Sequence, residues 1–287
     1  MTATDNARDV PQPRTGDLSS YQREVFVEPH ASMVIYRKGV GPAVLVITEM
    51  PGISPEVLGF ADMVAASGLT AILPDLFGVA GKEFRTLSQP RRMAYVLSSV
   101  VKVCISREFT MFASGRTSAV VKRLRRLAEQ EHARCGGPGV GVVGMCFSGG
   151  FALAMAVDPR VLVPVLSQPS LPGNFTHAHR YGIDSDAQTV DTVAHRCAKE
   201  GLEVYGLRFK GDPHVPEDRF RFLRDKLGDG FVAIELAQSD GNPNGPLPHR
   251  HSVLTNDLIE RPGEPTYEAR ERVLRLFREK LLAAVAS

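Results

Sequence analysis

Short unbroken apolar runs alternate along the chain with longer stretches in which apolar residues recur every three or four positions. The runs have strand length and lack the in-out alternation of a half-exposed strand, as expected for strands covered on both faces of a parallel sheet. Ala43-Val-Leu-Val-Ile-Thr48, Thr70-Ala-Ile-Leu-Pro74, Val140-Gly-Val-Val-Gly-Met145 and Val161-Leu-Val-Pro-Val-Leu166 are of this kind, followed by Glu203 to Phe209 and Phe231 to Leu236. The helical period predicts helices from Ser54 to Gly68, through Val120 to Ala128, from about Asp184 to Lys199, from Glu217 to about Leu227 and from about Glu268 to Ala284. Ser54 before Pro55 is an N-cap followed by a proline at the first helical position. Strand, helix and strand between residues 43 and 74 make one right-handed crossover.

Ahead of these, Arg23 to Val27 and Ser32 to Arg37 are rich in β-branched and aromatic residues and predict an antiparallel hairpin at the sheet edge. Residues 1–20 are polar and carry Pro11, Pro13 and Gly16, which predicts a flexible arm. Residues 21–287 then form a single α/β domain, a mostly parallel central sheet with helices on both faces. Pro164 is at odds with a central strand. Met93, Val96, Leu97, Val100, Val101 and Cys104 mark one more helix, which opens with Arg91 and Arg92. Positive charge there opposes the macrodipole, so these arginines either reach solvent or serve an anion.

Composition narrows the partners. With 287 residues, 43% hydrophobic, 23% charged and a net charge of +2, the chain has an ordinary soluble composition and no broad attraction to nucleic acid or anionic membrane. Lys122, Arg123, Arg125 and Arg126 form a basic helix face, but no aromatic residues interleave with them for base stacking, so a solvated face is expected. No signal-like or bilayer-spanning run is present. Cys104, Cys135, Cys146 and Cys197 form neither a CxxC pair nor zinc spacing, and no carboxylate or cysteine spacing completes a site with His177, His179 and His195. A cytoplasmic protein without metal or cofactor is expected.

The chemistry gathers at Val140-Gly-Val-Val-Gly-Met-Cys-Phe-Ser-Gly-Gly150, which reads as a strand passing through a sharp turn into a helix. Cys146 occupies its tip, and Gly144 and Ser148 are small enough for the backbones to pass closely, the pattern of a nucleophile elbow with cysteine as the nucleophile. A buried structural cysteine beside a glycine-rich strand end is the plainer alternative. Ligands of open α/β sheets collect at the carboxyl ends of the strands, and here those ends carry Glu49, Cys146, Asp212 and His251. Nucleophile, acid and histidine follow one another in the order of an α/β-hydrolase. A thiol must lose its proton to attack, a histidine in reach can take it, and a carboxylate can fix that imidazole's tautomer. Asp212 is otherwise a turn carboxylate beside Pro213, and His214 and His249 rival His251 as the base.

These pieces together resemble the dienelactone hydrolase family of the α/β-hydrolase superfamily. The resemblance runs from about residue 22 to 285 on Thr48-Glu-Met-Pro-Gly52, Leu73-Pro-Asp-Leu-Phe77, Gly144-Met-Cys-Phe-Ser-Gly-Gly150, Gly211-Asp-Pro-His-Val-Pro216 and His251-Ser-Val253. It implies the α/β-hydrolase fold, a Cys146, Asp212, His251 triad, Glu49 near the sulfur to help generate thiolate, and an oxyanion hole from the Phe147 and Met50 amides. The family member that opens dienelactone holds a substrate carboxylate with arginines, one followed by a tyrosine four residues on, which Arg91 and Tyr95 match. The other stands four residues after the triad histidine, where this chain has Thr255. Arg107 is the candidate substitute, and Ser148 replaces an elbow glycine of the family. The expectation is a hydrolase of a small ester or lactone acting through a cysteine acyl-enzyme. A non-catalytic ligand-binding protein on the same fold and a thiol redox sensor built on Cys146 are the alternatives.

Overall fold

Eight strands make one sheet in the order β1-β2-β4-β3-β5-β6-β7-β8, in a computed structural model that describes residues 11–28, 31–76, 79–83, 87–88, 91, 94–95, 118–171, 180–241 and 247–282. β1 (Gln22–Glu28) and β2 (Ala31–Gly39) form the expected antiparallel edge hairpin, and β2 runs antiparallel to β4 (Thr70–Pro74). From β4 onward every pairing is parallel, through β3 (Ala43–Ile47), β5 (Val140–Met145), β6 (Val161–Ser167), β7 (Val204–Phe209) and β8 (Phe231–Leu236).

The unbroken apolar runs are explained by two cores, one on each face. Along β3, Ala43, Leu45 and Ile47 turn to one side while Val44 and Val46 turn to the other. The first side is covered by α2 (Ala119–Cys135), α3 (Gly149–Met155), α4 (Ala187–Glu200) and α5 (Glu217–Leu227), through Leu124, Phe151, Val193 and Phe220. The second is covered by α1 (Pro55–Ala66) and α6 (Pro265–Leu282), through Phe60, Val64, Val273 and Phe277. Each fully buried aliphatic or aromatic side chain contributes about 1.5–3 kcal/mol, so central strands with no polar face are the strongest part of the frame. Gly141 lets α6 come close: a Cβ there would lie 2.8 Å from the Phe277 ring.

Three expectations are revised. Pro164 is accommodated inside β6, in register with Val142. Residues 11–20 lie against the domain: Gly16 N–H donates to the Pro55 carbonyl, Glu260 N–H donates to the Pro11 carbonyl, and Gly59 leaves room for the Arg14 carbonyl. Their attachment is by backbone hydrogen bonds, which polar composition does not reveal. The basic face of α2 is paired as well as solvated, with Arg123 and Arg126 on Glu28 of β1 and Arg125 Nε donating to the Ala154 carbonyl. The helix expected over residues 93–104 lies outside the described residues.

Candidate active site

β5 ends at Met145, and Cys146 follows with φ 59°, a left-handed conformation that costs a residue with a side chain on the order of 1–3 kcal/mol. Its neighbours hold it there. Ser148 Oγ accepts the Met145 N–H at 2.8 Å and lies 3.0 Å from the Ile47 carbonyl, so the serine standing where the family has glycine stitches the elbow to adjacent β3. Gly144 is the close approach the turn requires, since a Cβ there would lie 2.1 Å from the Ser148 carbonyl oxygen. α3 then starts directly behind the thiol.

Asp212 and His251 come from the loops after β7 and β8 and meet beside that thiol. His251 Nδ1 stands 2.6 Å from Asp212 Oδ2, and the Cys146 sulfur is near enough to the imidazole to act on its pKa. The His251 backbone is fixed by Asp257, whose Oδ2 accepts the N–H groups of His251 at 2.7 Å and Ser252 at 2.9 Å. Burial works against the charged imidazole, yet the sulfur on one side and the Asp212 carboxylate on the other hold its pKa well above the ordinary histidine value. Burial likewise works to raise Asp212, but the hydrogen bond and charge of His251 and the His214 N–H hold it below the usual carboxylate value. Both shifts favour a charged imidazolium paired with the Asp212 carboxylate.

The rival histidines surround the same acid without displacing His251. The His214 ring lies 5.4 Å from His251 and 5.1 Å from His249, and His249 Nε2 is 3.7 Å from Asp212 Oδ1. Burial and the neighbouring His251 charge push the His214 pKa down. Beneath them Arg219, fully buried, donates to the carbonyls of Gly182, Pro169 and His214, and burial lowers its pKa to about 10.

Glu49, expected near the sulfur, is held by side chains of two neighbouring segments. Its buried carboxylate accepts from Gln168 Nε2 at 3.0 Å and Ser252 Oγ at 2.7 Å on one oxygen, and from Asn256 Nδ2 at 3.1 Å and the Thr255 hydroxyl on the other. Burial raises its pKa against the hydroxyl bonds of Thr255 and Ser252. A desolvated carboxylate needs such donors, and the segments 167–170 and 252–256 supply them. Thr255, at the position of the family's second arginine, is fully buried on Glu49. The described group that meets Cys146 Sγ besides His251 is Ser170, with its Oγ at 2.9 Å.

Met50 directly follows Glu49 beyond β3, and Phe147 directly follows Cys146 beyond β5; Ile47 pairs with Gly144, so both amides leave neighbouring strand ends. Arg91 is exposed, while Tyr95 Oη accepts the Val79 N–H at 2.9 Å and Lys82 Nζ lies 4.1 Å from the centre of its ring. Arg107, His177 and His179 lie outside the described residues. Among the described residues, no group of three metal-ligating side chains is present, and no helix is long and apolar enough to cross a membrane. Sequence reasoning missed Ser170, Gln168, Asn256, Asp257 and Arg219. The one signal for any of them was the small-polar run Ser167-Gln-Pro-Ser170 at the exit of a buried strand.

The model of the dienelactone hydrolase family matches residues 31–167, from β2 through the elbow to the end of β6. The match takes in 137 of the 287 residues and makes this part of the chain similar to that family. Solved structures share the fold. A putative dienelactone hydrolase from Klebsiella pneumoniae is 17% identical, with 90% of this chain and 98% of that one covered and a TM-score of 0.59. A dienelactone hydrolase-like promiscuous phosphotriesterase from metagenomic libraries is 15% identical, covering 91% and 98% at a TM-score of 0.61. The dienelactone hydrolase of Anabaena variabilis is 14% identical, covering 91% and 99% at 0.51. No curated protein matches the chain by sequence. The family match ends at Ser167, so the parts played by Asp212 and His251 rest on geometry.

Proposed function

We propose that this chain is a dienelactone hydrolase-like carboxylic ester hydrolase that cleaves a small ester or lactone through an acyl-enzyme on Cys146. The observation that carries the reading is the 2.6 Å contact of His251 with Asp212 beside the Cys146 sulfur, three groups drawn from three separate strand ends. His251 takes the thiol proton, and the sulfur attacks the substrate carbonyl carbon. Charge then develops on the carbonyl oxygen, where the amides of Phe147 and Met50 are the proposed donors; one such donor is worth about 3 kcal/mol of barrier. As the tetrahedral species collapses, the C–O bond breaks and His251 returns its proton to the leaving alcohol. Water, deprotonated by His251, releases the acid and restores the thiol. Asp212 keeps Nδ1 protonated throughout and stabilises the imidazolium.

Glu49 acts here as a buried anchor under the His251 segment. Arg91, Tyr95 and Arg107 are the proposed contacts for a substrate carboxylate, which would set substrate choice and leave reaction type to the triad. No resident cofactor is needed for these steps, and a free thiol as nucleophile fits a reducing, cytoplasmic setting. The test is hydrolysis of p-nitrophenyl esters and lactones, with and without a carboxylate, by wild type, Cys146→Ala and Arg91→Ala. Turnover absent from Cys146→Ala, with an acyl adduct on Cys146 by mass spectrometry, is expected. Unchanged turnover in Cys146→Ala would overturn the mechanism. A KM rise in Arg91→Ala confined to carboxylate-bearing substrates is expected of the clamp, and equal KM changes for neutral substrates would remove it.

A further inference from the structure

The turn that leaves β6 crosses the site, and it is fixed from several sides. Gln168 has φ 38°, a left-handed conformation in a residue with a side chain, and its N–H donates to the Leu207 carbonyl at 2.7 Å. Its side chain reaches Glu49 on one side and accepts the Val253 N–H at 3.3 Å on the other. Buried Arg219 donates to the Pro169 carbonyl at 3.1 Å, and Pro169 packs so near α3 that a Cβ on Gly149 would lie 2.7 Å from its Cβ. Ser170 N–H donates to the Cys146 carbonyl at 3.0 Å, which ties the turn to the elbow itself. At the end of this bracing, buried Ser170 places its Oγ 2.9 Å from Cys146 Sγ. Among the described residues the sulfur is the only hydrogen-bond partner of that hydroxyl.

We infer that Ser170 is a further catalytic residue, whose O–H donates to the Cys146 thiolate and holds it ready between hydroxyl and imidazolium. Once His251 has taken the thiol proton, the sulfur has no hydrogen to give and accepts from both neighbours. Ser170 thereby fills, with a neutral donor, the place beside the sulfur expected for Glu49. A carboxylate beside a thiolate would repel it, whereas a hydroxyl stabilises it without adding charge. When the S–C bond forms, the sulfur's charge passes to the carbonyl oxygen and the serine proton stays on serine. The consequence for catalysis rests on Cys146 being the nucleophile; the contact itself can be tested without any substrate.

The experiment is the rate of Cys146 alkylation by iodoacetamide across pH 5 to 10 on the full chain, for wild type, Ser170→Ala, Ser170→Thr and Ser170→Val, with circular dichroism confirming the fold. The threonine and valine variants match in shape and differ in the hydroxyl, which keeps the comparison open if the alanine variant does not accumulate. Alanine and valine are expected to move the midpoint of the profile upward by about one pH unit, so that alkylation on its acid side slows about tenfold. Threonine is expected to restore the wild-type midpoint. Superimposable profiles for wild type and valine, or a threonine variant shifted as far as valine, would overturn the assignment. Because alkylation needs no ester, an unshifted profile alongside esterase activity lost in Cys146→Ala would remove Ser170 and leave the proposed function standing. A shifted profile with no ester turned over would do the reverse.

Discussion

Gln168 and Glu49, just past the ends of strands separated by β5, are joined by a 3.0 Å hydrogen bond from Nε2 to Oε2. The bond ties the exit of β6 to the exit of β3, directly beneath the segment that carries His251. Gln168→Ala withdraws one donor from a buried carboxylate and one acceptor from the Val253 N–H, and is expected to cost about 1–3 kcal/mol. Urea unfolding at pH 7 measures it. An unchanged midpoint would mean that water replaces the amide and that the tie carries no weight.

Asp212→Asn keeps the size of the acid and removes its charge. The 2.6 Å partner of His251 Nδ1 then no longer stabilises an imidazolium, and its amide can stabilise the wrong tautomer. Hydrolysis of a neutral ester is expected to fall by about a thousandfold or more in kcat, with KM little changed. Only a severalfold loss would show that His249, which approaches the other oxygen of Asp212, serves as the base.

Gly144→Ala places a methyl carbon 2.1 Å from the Ser148 carbonyl oxygen, where backbone on both sides leaves nothing to yield. The elbow has to open, and the variant is expected to lose about 4 kcal/mol or more of stability, or not to accumulate in soluble form. Thermal unfolding beside a Gly201→Ala control separates this from a general cost of replacing glycine. A Cβ on Gly201 meets nothing within 4 Å, though its φ of 69° gives the control some backbone strain of its own.

Asp184 packs over the start of α3 beside Gly150, and burial pushes its pKa up from an ordinary 3.8 to about 6. The folded state therefore holds a proton that the unfolded chain has released between those values. Stability is expected to fall as pH rises from about 4 to about 6 and to stay lower above that, by at most about 3 kcal/mol from this group. Asp184→Asn should remove that decline and gain stability at pH 7.5 relative to wild type. Denaturant titrations of both proteins at pH 4.5 and pH 7.5 decide it; parallel curves would show that the carboxylate is solvated.

The pattern of the chain made the frame and the triad legible for different reasons. β3, β5 and β6 announced themselves because a strand covered on both faces has no polar position to interrupt it. Cys146 was visible because the elbow turn demands small neighbours, while Asp212 and His251 were singled out by their order along the chain and by the family resemblance of their surroundings. Ser170 carried no such mark: its contact depends on a left-handed turn at Gln168, a residue that does not advertise one, and on anchors as distant as Arg219. Arg219 itself lies in a helix rich in charge, where nothing sets it apart, and the structure buries it to satisfy three loop carbonyls. Thr255 was readable as a missing arginine, but its bond to Glu49 required the fold to bring the two together.

The contact between Gly141 and Phe277 has a bearing on how the molecule is made. The elbow strand leaves the ribosome long before the helix whose aromatic ring seats on it, so during synthesis one side of β5 is complete in sequence yet bare of its cover. A nascent chain halted ahead of residue 265 would leave that oily strip exposed, and only with Phe277 in place is the strand that carries Cys146 sealed on this side.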